Sequence, residues 1–194
     1  MDTVYWWMIA AAALLAAGVV FFRKAGRPVP QILQPGNPLP EFKAVNEDGQ
    51  TLHSADLRGS PVIMLFVRGN WCPFCSKQVA NLTAHYKDIV DLGGKLVLVT
   101  PKPLETTRRV AEFFEVEFEF WLDENLSAIR KLGLLLENGV PADHRQEYGA
   151  ETVWPTAMLI DADGIIRYTK LSKAIIDRPD PELILAELRK LVDR

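Results

Sequence analysis

The hydrophobic positions in the middle of the chain follow two different spacings. Residues 62–67 and 96–99 are continuous apolar runs of strand length, and between them Val79, Leu82 and Ile89 recur at helical spacing. Strands that are apolar on both faces are typical of a parallel sheet with helices on each side. The pattern therefore predicts a strand–helix–strand unit whose crossover is right-handed.

The flanking segments extend this alternation. Residues 157–160 and 165–168 are predicted to form two antiparallel strands, joined by a turn in which Gly164 takes positive φ. The other predicted elements are an early hairpin over 42–53 with its turn at Asp48 and Gly49, a helix over 104–114, an irregular insertion over 134–154 and a final helix entered after Pro181.

The chain begins with a long uncharged stretch. Residues 4–22 carry no charged side chain, and about 20 apolar residues are enough to cross a bilayer as a helix. A cleaved signal peptide is the alternative, but it would have a basic start, whereas Asp2 precedes this stretch. Trp6 and Trp7 lie at one end, where aromatic rings favour the headgroup level. We therefore expect one N-terminal transmembrane helix that anchors the protein.

This anchor predicts a single-pass membrane localisation, with the side of the membrane left open. Arg23, Lys24 and Arg27 follow the stretch, and the positive-inside bias places the following domain in the cytoplasm. Long domains are translocated largely regardless of flanking charge, so an extracytoplasmic domain stays an alternative.

A proline-rich segment follows the anchor. Its closely spaced prolines have fixed φ angles and lack donors, which favours an extended, semi-rigid spacer over a helix. The predicted organisation is a transmembrane anchor over 1–24, a linker over 25–37 and one globular domain over 38–194. The formal net charge of −3 gives no reason to expect nucleic acid as a partner.

Both cysteines of the chain lie in the stretch RGNWCPFCSKQ, at the start of the predicted helix after the first long strand. A helix N-terminus stabilises a thiolate, so Cys72 is the expected nucleophile. Cys75 lies one helical turn further on the same side, where it can attack a mixed disulfide formed at Cys72. Pro73 suits the first turn of a helix, and Trp71 supplies apolar surface around the sulfurs. The spacing predicts a pair that shuttles two electrons.

Two structural interpretations compete with redox chemistry. A Cys-x-x-Cys pair is half of a zinc site, but the sequence has no second pair, and His53, His85 and His144 lack metal-ligand spacing. A purely structural disulfide would close a very small loop and stabilise the fold little. Redox chemistry that needs neither a metal nor an organic cofactor is therefore the favoured interpretation.

The sequence resembles the thioredoxin-like superfamily, in particular its redoxin branch of AhpC/TSA-type domains. The resemblance runs from residue 38 to the C-terminus and is carried by LPEFKAVNEDGQTLHSADLRGSPVIMLFVRGNWCPFC, KLVLVTP, WPTAMLIDADGIIRY and DRPDPELILAELRKL. It implies an α/β thioredoxin-like fold with a central mixed β-sheet flanked by helices. It also implies a cis peptide bond before Pro155, beside the cysteines, where thioredoxins pair with the backbone of a bound peptide.

The chain departs from the peroxiredoxins that it otherwise resembles. Those enzymes carry a Thr or Ser three residues before the peroxide-reactive cysteine, a Pro seven residues before it and an Arg near the strand that here begins at Ala157. This chain has Gly69, Leu65 and Pro155 at these places. The groups that orient the peroxide are therefore expected to be missing.

Other groups near the cysteines are candidates for supporting roles. Arg68 is near enough in sequence to stabilise a thiolate or a peroxide oxyanion, although an ordinary surface cation is the alternative. The buried carboxylate that thioredoxins carry is replaced by Phe66. Asp161 and Glu151 are unsupported candidates for proton transfer in its place.

The favoured function is a membrane-tethered thiol–disulfide oxidoreductase that acts on a protein thiol or disulfide and has poor peroxidase activity. The first alternative is a peroxiredoxin-like thiol peroxidase that reduces a small peroxide, with Cys72 as the attacking thiol and Cys75 as the resolving thiol. The second alternative is a redox-gated binding or assembly protein, whose thiols control a partner without turning over.

Overall fold

The computed structural model of the protein describes residues 6–9, 12–13, 27–46, 48–69, 71–101, 119–174 and 176–192. The strands are β1 Lys43–Val45, β2 Thr51–His53, β3 Val62–Phe66, β4 Lys95–Thr100, β5 Glu119–Leu122, β6 Leu135–Leu136, β7 Thr152–Val153, β8 Thr156–Ile160 and β9 Ile166–Leu171. The main helices are α1 Pro73–Thr83, α2 Tyr86–Asp91, α3 Ser127–Lys131, α4 Arg145–Tyr148 and α5 Pro181–Val192. Short 3-10 turns are Gln31–Leu33, Ser54–Leu57 and Ala142–His144.

A mixed sheet forms the centre of the molecule. Within the described ranges, its strand order is β2-β1-β5-β4-β3-β8-β9, and β6 pairs separately with β7. The strand β3 runs parallel to β4 and antiparallel to β8, and β4 runs parallel to β5. The predicted α/β architecture with a central mixed sheet and flanking helices is confirmed.

The apolar run of β3 places side chains on both faces of the sheet. Every residue of β3 is buried. Because successive side chains of a strand point to opposite faces, Val62, Met64 and Phe66 enter one hydrophobic cluster, while Ile63 and Leu65 enter the other. This explains why the run shows no polar alternation: helices or loops cover both faces.

Helices α1, α2 and α5 cover one face of the sheet. Their buried apolar residues share a cluster with Ile63 and Leu65, and they include Val79, Leu82, Ile89, Leu185 and Leu188. Cys72 and Cys75 belong to the same cluster. The two thiols therefore lie on the face of the sheet that α1 covers, as predicted.

Both predicted hairpins are confirmed. The early one pairs β1 with β2, and the late one pairs β8 with β9, in each case antiparallel. Gly49 and Gly164 take φ angles of 78° and 81° in their turns, a left-handed conformation that glycine adopts without steric cost. The final helix also begins at Pro181 as expected.

The membrane prediction is contradicted. Residues 6–9 and 12–13 are helical, and the rest of the first 26 residues lies outside the described part of the chain. Among the described residues, no helix has the length and apolar character that a bilayer span of about 20 residues requires. The single-pass membrane localisation is therefore contradicted, and no transmembrane helix is found among the described residues; most of the stretch over 4–22 lies outside them.

The proline-rich segment is packed against the domain and is not simply an extended spacer. Gln31–Leu33 forms a turn of 3-10 helix whose first flanking residue is Pro30, and Leu33 is fully buried. Arg27 donates hydrogen bonds to the carbonyl oxygens of Gly133 and Leu135, both at 2.8 Å. A short turn fits here because proline is tolerated at the start of a helix. The domain boundary after residue 37 stays a prediction.

Two other predicted segments need comment. The helix expected over 104–114 lies outside the described residues. The segment 134–154 has no single periodicity because it is built from short pieces: β6, a 3-10 turn, α4 and β7. It is an insertion with its own small sheet, and its α4 side contacts the cysteine-bearing turn.

Candidate functional site

Cys72 lies at the junction between the turn after β3 and helix α1. It is the N-cap of α1, with extended backbone angles, and Pro73 occupies the first helical position. The backbone N–H groups of Cys75 and Ser76 donate to the Cys72 carbonyl at 3.0 and 3.1 Å. A proline here removes a donor that has no partner in the first turn of a helix. The predicted placement of both cysteines is confirmed.

Both cysteines are free thiols that are shielded from solvent. Their exposed fractions are 1% for Cys72 and 2% for Cys75. Burial disfavours a charged sulfur, so a thiolate at this place needs compensating donors or cations.

The two thiols have opposite pKa shifts. A hydrogen bond donated by the Cys75 thiol lowers the pKa of Cys72 from 9.0 to about 6, against the opposing effect of burial. The nearby Cys75 backbone N–H and the charges of Arg68 and Arg178 act in the same direction as that hydrogen bond. The same thiol–thiol hydrogen bond, burial and the charge of Cys72 raise the pKa of Cys75 far above its usual range. Cys72 is therefore the thiolate at neutral pH, and Cys75 is its proton-bearing neighbour.

Arg68 is a buried cation and not a surface one. Its side chain is 3% exposed, and its guanidinium lies 4.4 Å from the ring centroid of Trp71. Its Nη2 donates to the carbonyl oxygen of Gly139, in the insertion. A guanidinium stacked on an indole and bonded to a backbone carbonyl is held in one orientation. The surface alternative for Arg68 is wrong.

Arg178 is a second cation at the site, and the sequence analysis missed it. Its Nη2 lies 3.4 Å from the sulfur of Cys75 and 3.9 Å from that of Cys72. It belongs to the loop between β9 and α5, a hundred residues along the chain from the cysteines, which is why no local pattern indicated it. Its only sequence signal is its place in the DRPDPEL stretch that contributes to the family resemblance.

Trp71 fills the space beside the cysteine turn. His144 stacks on its ring at a centroid distance of 5.9 Å, and Tyr148 meets it edge-on at 6.4 Å. Gly69 has φ of +129°, and a Cβ added there would lie 3.0 Å from the indole Nε1 of Trp71. The insertion thus supplies two rings that hold Trp71 in place.

The peptide bond before Pro155 is not cis: the described residues contain no cis peptide bond, so that prediction is wrong. The backbone around Pro155 is also already paired. Trp154 N–H donates to the Leu134 carbonyl at 2.7 Å, and the Pro155 carbonyl accepts from Ser172 N–H at 2.9 Å. Leu134 in the insertion and Ser172, which follows β9, therefore occupy the groups that a bound peptide would need.

The two carboxylates considered for proton transfer serve other purposes. Asp161 accepts two backbone N–H bonds in the β8–β9 turn and pairs with Arg167 at 2.6 Å. Glu151 forms an ion pair with Arg130. Among the described residues, the side chains of Asp161 and Glu151 are engaged with Arg167 and Arg130 and not with the thiols, so the structure does not bring them to the site. The described residues also contain no cluster of three or more His, Cys, Asp or Glu side chains placed to hold a metal ion.

The mixed sheet, with a pair of free Cys-x-x-Cys thiols at the start of the helix after its central strand, defines a thioredoxin-like α/β fold. Residues 35–169 match the family model of the AhpC/TSA family. The chain belongs to this family.

Sequence relatives and solved structures agree with this assignment. Chloroplastic peroxiredoxin Q of Populus jackii is 29% identical over 108 residues, which are 56% of this chain and 48% of that protein. The chloroplastic peroxiredoxin Q of Triticum aestivum is 24% identical over 139 residues, 69% of this chain and 57% of that protein. This chain thus spans about half the length of these relatives.

The crystal structure of peroxidoxin BcpB from Mycobacterium tuberculosis has the same fold. It superposes with a TM-score of 0.65 at 17% identity, covering 82% of this chain and 98% of that one.

Proposed function

We propose that this protein is a peroxiredoxin-like thiol peroxidase that reduces hydroperoxides with the Cys72–Cys75 pair. The observation that carries the proposal is a buried thiol with a pKa lowered to about 6, beside the guanidinium groups of Arg68 and Arg178. A thiol with this pKa is about nine-tenths thiolate at pH 7. The thiolate is the form of cysteine that attacks a peroxide oxygen.

The reaction that fits this geometry has two steps in the protein. The Cys72 thiolate attacks one peroxide oxygen, the O–O bond breaks, and an alcohol or water leaves once its oxygen takes a proton; Cys72 becomes a sulfenic acid. The Cys75 thiol then displaces the sulfenic hydroxyl as water, and a Cys72–Cys75 disulfide forms. An external thiol, which the cycle consumes, returns the pair to the reduced state.

Burial favours a small substrate over a protein disulfide. With both sulfurs at most 2% exposed, a protein chain cannot reach them without displacing Trp71 or the loop that carries Arg178. The backbone groups around Pro155 are engaged with Leu134 and Ser172, so they do not offer an edge for an extended peptide. A small hydroperoxide requires neither the displacement of Trp71 or the Arg178 loop nor a free backbone edge. The peroxidase is therefore better supported than the exchange enzyme that the sequence alone favoured.

Two buried donors are candidates to replace the hydroxyl that is missing at Gly69. The Nε of Arg68 and the Nε1 of Trp71 are buried and have no hydrogen-bond partner among the described residues. The indole Nε1 lies against Gly69, where a Thr or Ser side chain would begin. Donors that are fixed in advance and face developing negative charge lower a barrier, and removing one such donor costs about 10²-fold in rate.

Thiol–disulfide exchange remains a second candidate, because Gly69 has no hydroxyl and the pair has the short Cys-x-x-Cys spacing. Exchange would use the same Cys72 thiolate, with a disulfide in place of the peroxide.

Stopped-flow mixing of the reduced protein with hydrogen peroxide and with an organic hydroperoxide tests the proposal. A second-order rate constant thousands of times that of a free thiolate is expected, with loss of the fast phase in Cys72→Ser. A rate constant equal to that of a free thiolate, alongside rapid turnover of a protein disulfide, would sink the peroxidase and favour exchange.

A further inference from the structure

We infer that Arg178 serves the second step, the attack by Cys75, as a residue that touches the resolving sulfur. The inference rests on the proposed function, because it assigns a role within that reaction. Arg178 Nη2 is closer to the Cys75 sulfur, at 3.4 Å, than to the Cys72 sulfur, at 3.9 Å. One guanidinium nitrogen thus bridges the attacking and the resolving thiols.

The loop before α5 holds this guanidinium in position. Arg178 Nη1 donates to the Ser172 Oγ at 3.1 Å and to the Asp177 carbonyl at 2.8 Å. Ser172 is completely buried, and its hydroxyl donates to the same carbonyl at 2.5 Å. One guanidinium nitrogen is therefore anchored in the protein while the other faces the sulfurs, so the group does not have to be ordered when the reaction occurs.

The Asp177 side chain stabilises the same loop through two further contacts. Its carboxylate accepts the Lys173 N–H at 3.0 Å and pairs with the Lys170 ammonium at 3.2 Å. Ser172 and Asp177 are positioning residues, because they act on the sulfurs only through Arg178.

Cys75 needs a cation more than Cys72 does in the second step. The hydrogen bond to Cys72, burial and the neighbouring Cys72 charge raise the pKa of Cys75 and keep it protonated in the reduced protein. Once Cys72 is a sulfenic acid, its negative charge and its demand for the Arg178 N–H are both gone. The guanidinium N–H that faces the sulfurs can then stabilise negative charge as it develops on the Cys75 sulfur.

The step balances with Arg178 unchanged. The Cys75 S–H bond breaks, an S–S bond forms, and the S–O bond of the Cys72 sulfenic acid breaks. The leaving hydroxide combines with the proton from Cys75 to give water. Cys75 is oxidised and the sulfenic sulfur is reduced, so no other reagent is required.

Arg68 and Arg178 act on the two thiols to different extents. The charge of Arg68 lowers the pKa of Cys72, but towards Cys75 Arg68 contributes its backbone N–H and not its side chain. The charge of Arg178 acts on both thiols. Loss of Arg178 is therefore expected to slow the second step more than the first.

The test compares Arg178→Met and Arg178→Lys with the surface control Arg167→Met. The reduced protein is mixed with hydrogen peroxide, and quenched samples are analysed by mass for Cys72 sulfenic acid, trapped with dimedone, and for disulfide. In Arg178→Met we expect disulfide formation to slow by about 10- to 100-fold, the range for a lost hydrogen bond to a charged group. Cys72 oxidation should slow by less than that, and Arg178→Lys should recover part of the second step.

A peroxide-free measurement separates this inference from the proposed function. Methyl methanethiosulfonate places a methylthio group on Cys72, and Cys75 then displaces methanethiol. Slower displacement in Arg178→Met supports the inference even when the wild-type protein fails the peroxide test. An unchanged displacement rate and an unchanged sulfenic acid lifetime overturn it, as does equal slowing of both steps.

A second variant covers the case in which Arg178→Met does not fold, as judged by circular dichroism. Ser172→Ala keeps Arg178 but removes one of its anchors. It is expected to lengthen the sulfenic acid lifetime by a larger factor than it slows Cys72 oxidation, since the first step has the charge of Arg68 as well. A sulfenic acid lifetime equal to that of wild type contradicts the role of the loop.

Discussion

Cys72 and Cys75 have different pKa values although both are buried in one hydrophobic cluster. The difference follows from their mutual hydrogen bond: one sulfur accepts and is stabilised as an anion, and the other donates and keeps its proton. Their environment, more than the helix N-terminus alone, therefore sets the order in which the two thiols react.

Removing the donor thiol is expected to change the pH dependence of the first step. In the wild type, the rate of Cys72 alkylation by iodoacetamide should rise with pH around a midpoint near 6. In Cys75→Ala the largest cause of the lowering is absent, so the midpoint should move upward. Peptide mapping of the alkylated cysteine checks the assignment, and a midpoint that stays near 6 in Cys75→Ala contradicts the thiol–thiol hydrogen bond.

Arg68→Met tests the role of the Arg68 charge, because methionine is a long side chain that carries no charge. The pKa of Cys72 should rise, and the rate of oxidation by hydrogen peroxide should fall by about 10- to 100-fold, because a charge and a fixed donor are both lost. Arg58→Met, on the surface near Gly164, is the matched control. Stopped-flow kinetics measures the effect, and a rate equal to that of the control rules Arg68 out of the site.

At the level of elements, the insertion over 134–154 supports the site from outside the sheet. It supplies the Gly139 carbonyl for Arg68 and the two rings that pack on Trp71. Gly139 itself has no room for a side chain: a Cβ would lie 2.6 Å from the Leu136 Cγ and 2.8 Å from the Thr152 Cγ2.

Gly139→Ala should therefore disturb β6 and β7 and move the carbonyl that holds Arg68. We expect a loss of about 1–3 kcal/mol in the free energy of unfolding, typical of overpacking, together with a higher pKa of Cys72. Urea unfolding and the pH profile of alkylation measure the two effects. Glu147→Ala, at an exposed position in α4, is the control and should change neither quantity. If Gly139→Ala is as stable as the wild type and its alkylation has the same pH profile, the insertion does not support the site.

Local sequence patterns predicted some features of this structure and missed others, for a physical reason. The strand β3, helix α1 and both hairpins were predictable, because a few consecutive residues set their burial and turn chemistry. Arg178 and the pairing of the Trp154 and Pro155 backbone were not, because each depends on partners far along the chain. The cis bond before Pro155 was inferred from a resemblance, and the described residues contain none.

At the scale of the whole molecule, the lowered pKa of Cys72 links stability to pH. Between about pH 6 and pH 9 the unfolded chain carries a proton on Cys72 that the folded protein has lost, so stability rises with pH in this window. The contribution is complete above pH 9 and disappears as the pH falls through 6. Cys75 acts in the opposite sense above pH 9, where only the unfolded chain loses its proton.

Urea unfolding of the reduced wild type and of Cys72→Ala across this range checks the linkage. The difference in unfolding free energy between the two proteins should grow by a few kcal/mol, as an upper limit, from pH 6 to pH 9. A difference that does not vary with pH would mean that Cys72 is not ionised in the folded protein.

Gly69 limits the routes by which this site can evolve. A Thr at this position would meet the Trp71 indole at 3.0 Å and Tyr148 at 3.1 Å, with a backbone φ that side chains disfavour. Trp71 would have to shrink first, and that change removes the ring on which Arg68 stacks. A Thr at 69 and a smaller residue at 71, introduced one at a time, therefore each disturb a contact of the present site. Lineages with an indole at position 71 should therefore retain glycine at 69, and a hydroxyl should appear there only in lineages that have already lost the indole.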